Sequence, residues 1–214
     1  MNVFVSSLGL RWRSSFRCLA FMFCIVVENG LSSYKYGAHI LMKTKTLALV
    51  AILAGLANVM SLPPLAIPIQ IGGFSSSLHF FQLAIFLCGI ISGPGAGFAC
   101  GIVGSLYMGL TRIPFVVGGI AILGLSVGFF SKRVRPVFAG LLSWLIQAPY
   151  VLVTDYFWFT VFAGNSSSVA WAIIIPVMAN LTLQAVICAI LADIIIHYLK
   201  RVGVDLATWA YNEE

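Results

Sequence analysis

Between Thr46 and Ala192 the chain carries five charged residues, Arg112, Lys132, Arg133, Arg135 and Asp155, while the other thirteen lie outside that stretch. A water-soluble domain spreads charge over about a quarter of its residues. Here 8% of the 214 residues are charged and 61% are apolar. Such a surface would aggregate in water, so the chain reads as a protein of the cell membrane that crosses it several times.

A spanning helix needs about 20 mainly apolar residues. That ruler predicts six helices, over residues 47–62, 78–92, 95–110, 115–130, 137–162 and 169–199. The expected fold class is therefore an all-α integral membrane protein with six transmembrane helices. Pro63, Pro64, Pro68, Gly72, Gly73 and Ser75 to Ser77 separate the first two helices and read as a loop. Backbone of that kind lines a cavity or sits in water rather than facing lipid.

Lys and Arg set the orientation. With the residues before Leu47 inside, one side holds Lys43, Lys45, Lys132, Arg133, Arg135, Lys200 and Arg201, and the other holds Arg112. Cytoplasmic loops carry the excess of basic residues, so both ends are expected in the cytoplasm. The same alternation gathers residues 72–77, the Arg112 turn and residues 164–168 on the outer face. Residues 42–201 form the membrane domain on this reading, and 202–214 a short cytoplasmic tail. Residues 1–41 have an apolar run too short to span, and Met42-Lys43-Thr44-Lys45 makes an ordinary basic lead into a first span. They are expected to be an extension, either disordered or not translated.

Several functions are excluded or disfavoured by missing motifs. No G-x-x-x-x-G-K-[ST] is present, so the chain cannot hydrolyse ATP through a P-loop. No H-E-x-x-H occurs, and Gly104-Ser105 lacks the flanks of a nucleophile elbow. His79 and His197 belong at opposite membrane faces, and Asp155 alone makes no carboxylate dyad. The five cysteines form no C-x-x-C pair. No enzyme activity, cofactor or metal is expected. The net charge of +6 sits beside apolar runs, where it reports orientation; nucleic acid is not an expected partner.

Two patterns remain. Gly89, Gly93, Gly97 and Gly101 recur every fourth residue, as do Gly124 and Gly128, and the first span offers Ala48, Ala51, Ala54 and Gly55. Small residues at this spacing let helices approach closely in lipid, within the chain or against a partner subunit. For Ala48, Ala51, Ala54 and Gly55 a partner face is the functional reading. The second pattern is polar. Gln147, Tyr150 and Thr154 share a face of the fifth span, and Asn180 and Gln184 stand four apart on the sixth. Intramembrane polar groups face the bundle interior or a cavity. With Trp144, Trp158 and Trp171 nearby, they suggest a pocket in which aromatic faces stack on a flat ligand and amides read its edge. His79 and Gln82 open the second span and are expected to reach in from its lid. Asp155 is expected to meet Arg112 or a cationic ligand.

At residues 81–97 the sequence FQLAIFLCGIISGPGAG resembles the substrate-binding S component of energy-coupling factor (ECF) vitamin transporters: an apolar run, Gly, Gly-Pro, then Gly. The glycines continue at Gly101 and Gly104. Asn180 followed by Gln184 and the alanine-rich first span are also similar to that family. The resemblance implies a six-helix protein that captures a vitamin-like small molecule at its outer end. It further implies partnership with a transmembrane coupling subunit and two ATP-binding subunits, the first of which would meet the first span. Few charges near the pocket favour a mostly neutral ring, such as riboflavin or a thiamine precursor, over a carboxylate such as biotin. The alternative is a stand-alone small-solute carrier, which would need a coupling-ion site or a continuous polar path.

Overall fold

The computed structural model describes residues 44–203 apart from 66, 72, 73 and 112. The expected 1–41 extension and most of the 202–214 tail lie outside the described residues. Helix α1 is Thr44–Met60. A hairpin of β1 (Ile67–Ile71) and β2 (Phe74–Leu78) follows. Then come α2 (Phe81–Ser92), α3 (Pro94–Gly104), α4 (Leu106–Thr111) and α5 (Val116–Phe130). Helix α6 (Pro136–Phe157) continues as a π-helical turn over Trp158–Phe162, and α7 spans Ser167–Arg201. Without water to bond to, the apolar chain closes its hydrogen bonds within helices, and the fold is that of a helical membrane protein. Among the described residues, Pro136–Phe162 and Ser167–Arg201 are long and apolar enough to cross a membrane unaided.

Packing is decided by glycine. Residues 89, 97 and 101 press α2 and α3 onto α5. A Cβ on Gly97 would run into the Gly124 carbonyl, one on Gly101 would lie 2.5 Å from the Ile120 carbonyl, and one on Gly89 would meet Val127. Gly128 is likewise closed by the backbone of Gly93 and Pro94. The glycine ladder is thus spent inside the chain. Gly93 itself has φ 86°, a left-handed conformation that suits glycine, and Pro94 opens α3 with its φ preset for a helix. That pair reverses the chain between α2 and α3.

Two local expectations are corrected. The stretch read as an open loop forms an antiparallel hairpin, with Ile67 opposite Leu78, Ile69 opposite Ser76 and Ile71 opposite Phe74. Leu78 therefore belongs to β2, and the second helix begins at Phe81. The segment read as one helix over 95–110 is broken at Ser105 into α3 and α4. Asn58 of α1 reaches into the break: its Nδ2 donates to the Val103 carbonyl at 2.7 Å, and its Oδ1 accepts from the Tyr107 amide at 3.0 Å. Helix breaks at membrane depth are tolerated where a neighbour satisfies the freed groups.

Helix α1 has two faces. Val50, Ala54 and Ala57 are buried, while Leu47, Ile52, Leu56 and Val59 are exposed. Ala48 and Gly55 lie on the exposed side and Ala51 at its edge. Ala54 departs from the expected partner face: it is fully buried, its Cα 3.4 Å from where a Gly104 Cβ would stand. Its small side chain serves the contact of α1 with α3.

Candidate binding site

Helix α7 brings two polar residues to the hairpin. Asn180 Nδ2 donates to the Ser77 carbonyl at 3.1 Å, and Gln184 Nε2 reaches the same oxygen at 3.4 Å. Both side chains are buried, one helical turn apart on α7. His79, two residues past Ser77, is buried as the chain enters α2. Gln82, in the first turn of α2, is fully buried at 0% exposure. Among the described residues neither its Nε2 nor its Oε1 has a hydrogen-bond partner. The Oε1 atoms of Gln184 and Gln147 are equally buried and unpartnered.

Helices α5 and α6 hold the second group. Gly118 and Gly119 of α5 leave a flat strip on which the Tyr150 ring lies; Gln147 Nε2 is 3.3 Å from where a Gly119 Cβ would stand. The Tyr150 hydroxyl donates to the Phe115 carbonyl at 3.3 Å. Phe115 in turn meets Trp158 edge-on at 6.2 Å between ring centroids, and Trp158 stacks on Phe162 at 5.0 Å. Asp155 is buried two turns beyond Gln147 on the inward face of α6, with Val151 between them. Arg112 lies outside the described residues, and so does the expected Asp155–Arg112 pair.

Two neighbouring expectations change. The Thr154 hydroxyl donates to the carbonyls of Tyr150 and Val151, so it serves its own helix. Trp171 is exposed and packs on Tyr156 at 5.3 Å. Sequence reasoning missed the Ser77 carbonyl, the Gly118-Gly119 strip and Asn58. The adjacent glycines were the available signal for the second of these.

Proline and the π turn keep this region irregular. Pro149 and Pro176 sit inside α6 and α7 and donate no backbone N–H, freeing the carbonyls of Leu145 and Ala172. The π turn ends α6 with Ala163 N donating to the Trp158 carbonyl at 3.0 Å. Such turns concentrate at functional sites.

The chemistry on offer is recognition. A buried amide left unpaired costs about 1–3 kcal/mol, which a ligand with complementary groups recovers. Ser105, the serine nearest a nucleophile motif, donates its hydroxyl to the Gly101 carbonyl at 2.6 Å. The interior of this helical membrane protein thus holds the buried amides of Gln82, Gln147, Asn180 and Gln184. Over residues 41–201 the chain matches the family of the ECF-type riboflavin transporter, S component, and it belongs to that family. S components are transport subunits, so the chain is a membrane transport protein and not an enzyme. No curated protein and no solved structure matches it.

Proposed function

We propose that the chain captures riboflavin, or a vitamin with a comparable flat ring, from outside the cell. The observation that carries this reading is the set of buried, unpartnered amide atoms on Gln82, Gln147 and Gln184. Three of those four atoms are carbonyl oxygens seeking donors, and one is an NH2 seeking an acceptor. A ring with an imide edge and a hydroxylated chain supplies both kinds of group. Tyr150 and Trp158 provide faces for the ring, Asn180 and His79 stand beside Gln184 and Gln82, and Asp155 lies toward the mouth. Family membership supports riboflavin in particular, through the substrate of the transporter for which the family is described.

On this reading the chain crosses the membrane six times with both ends in the cytoplasm, α3 and α4 together making the third crossing. Residues 42–201 are the membrane domain. It delivers its cargo with a transmembrane coupling subunit and two ATP-binding subunits, which supply the energy that a chain without a P-loop lacks. The exposed side of α1, with Ala48, Ala51 and Gly55, is where the coupling subunit docks.

The experiment is a titration of intrinsic tryptophan fluorescence with a vitamin panel, using the purified chain. Trp144 is buried three residues from Gln147, and Trp158 stacks in the aromatic group. Saturable quenching by riboflavin is expected. Quenching by a different vitamin overturns the substrate, and silence across the panel overturns the capture role.

A further inference from the structure

The break between α3 and α4 is built around one side chain. In an uninterrupted helix the Tyr107 amide would donate to the Val103 carbonyl four residues back. Asn58 occupies that rung: its amide donates to the Val103 carbonyl and accepts from the Tyr107 amide. A side chain inserted into the ladder is a known cause of sharp kinks. The rung has two satisfied arrangements, because with Asn58 withdrawn Val103 and Tyr107 can bond to each other. Asn58 keeps a partner in both, since its Nδ2 also donates to the Ala54 carbonyl of its own helix at 3.0 Å. Withdrawal costs Asn58 only the partner of its Oδ1, on a side chain that is half-buried, so the two arrangements differ by about one neutral hydrogen bond.

The rung is placed between two surfaces that matter. On α1, Asn58 lies within one turn of Gly55, Leu56 and Val59 on the exposed side. Beyond α4 the chain runs through Ile113 and Pro114 to Phe115, whose carbonyl takes the Tyr150 hydroxyl. We infer that Asn58 is a positioning residue that holds α4 bent and Phe115 against Tyr150. A shift of α1 on partner docking withdraws the wedge, straightens α3–α4 and loosens the ligand. The inference rests on the proposed roles of Tyr150 and the α1 face.

The test uses the full chain in nanodiscs, with Leu110→Cys and Val153→Cys carrying nitroxide labels for distance measurement. Both positions are exposed, whereas Cys88, Cys100 and Cys188 are buried; Cys18 and Cys24 are replaced by Ser. A six-residue α4 is about 9 Å long, so a swing of about 20° moves its tip by about 3 Å. Asn58→Leu is expected to shift the label distance by that amount and to raise the riboflavin dissociation rate about fivefold, the scale of one neutral hydrogen bond. Asn58→Gln, which keeps donor and acceptor, retains the native distance. An unchanged distance in Asn58→Leu overturns the inference; should that variant not fold, Asn58→Ala decides on the same measurement. The distance needs no ligand, so failure of riboflavin to bind would count against the proposed function alone.

Discussion

Asn180 Nδ2 and the Ser77 carbonyl, 103 positions apart in the chain, lie 3.1 Å from each other. The longest helix is thereby fastened to the end of the hairpin, and Gln184 approaches the same oxygen one turn further along. The acceptor belongs to the backbone, so no substitution at Ser77 removes it. The pair can be tested only from the α7 side.

Asn180→Ala and Gln184→Ala are expected to weaken vitamin binding by about 1–3 kcal/mol each. Because both donors share one acceptor, the double variant should lose less than the sum of the singles. Calorimetric titration of the three variants reads this directly. Full additivity would show that the two amides act independently.

Gln82→Leu separates binding from folding. Replacing an unpartnered buried amide with an apolar side chain is near neutral or stabilising for the fold. The thermal midpoint in detergent should hold or rise, while affinity falls about tenfold or more. A large drop in the midpoint would mean that the amide is a structural tie.

Gly97→Val and Gly55→Leu should differ sharply in their cost to the fold. The space at Gly97 is filled by the backbone of Gly124, which cannot rotate away, whereas nothing lies within 4 Å of a Cβ at Gly55. Overpacking is expected to lower stability by about 1–3 kcal/mol or more at Gly97 and to leave it unchanged at Gly55. Thermal-shift measurements on both proteins give the comparison.

The same Gly55→Leu variant should bind the vitamin with native affinity yet support no uptake in cells supplied with the coupling subunits. Uptake at the native rate would remove this part of α1 from the docking face.

Gly118→Leu is expected to push Tyr150 off its strip, because a Cβ there meets the tyrosine hydroxyl. Affinity should fall with little change in thermal midpoint. Tyr150→Phe, which loses only the bond to Phe115, should fall less, by about 0.5–1.5 kcal/mol. Equal losses would assign the effect to the hydroxyl and not to the ring.

The helices were legible because hydrocarbon imposes one rule: long apolar segments close their hydrogen bonds internally. Amides at Gln147, Asn180 and Gln184 stood out for the same reason. The hairpin was legible only in part: Ile67, Ile69 and Ile71 alternate as in a strand and Gly72-Gly73 is a turn signal, but Pro68 within the run and the three serines of the second strand argue for a loop. Gly104-Ser105 is a pair that accompanies kinks, yet the break depends on Asn58, 45 to 49 positions away, which no local pattern could supply. Ala54 and Gly55 are neighbours in sequence that face opposite ways, and only tertiary packing distinguishes them.

Helices α6 and α7 touch very differently along their length. Near the start of α6, a Cβ on Gly140 would come within 2.8 Å of the Ala189 methyl carbon, so the two backbones are nearly in contact. Near its end the contact is between whole rings, Tyr156 against Trp171 at 5.3 Å. A pair joined this way behaves like tweezers pinned at the base. Opening the tips by a given width strains the pin far less than parting the helices in parallel.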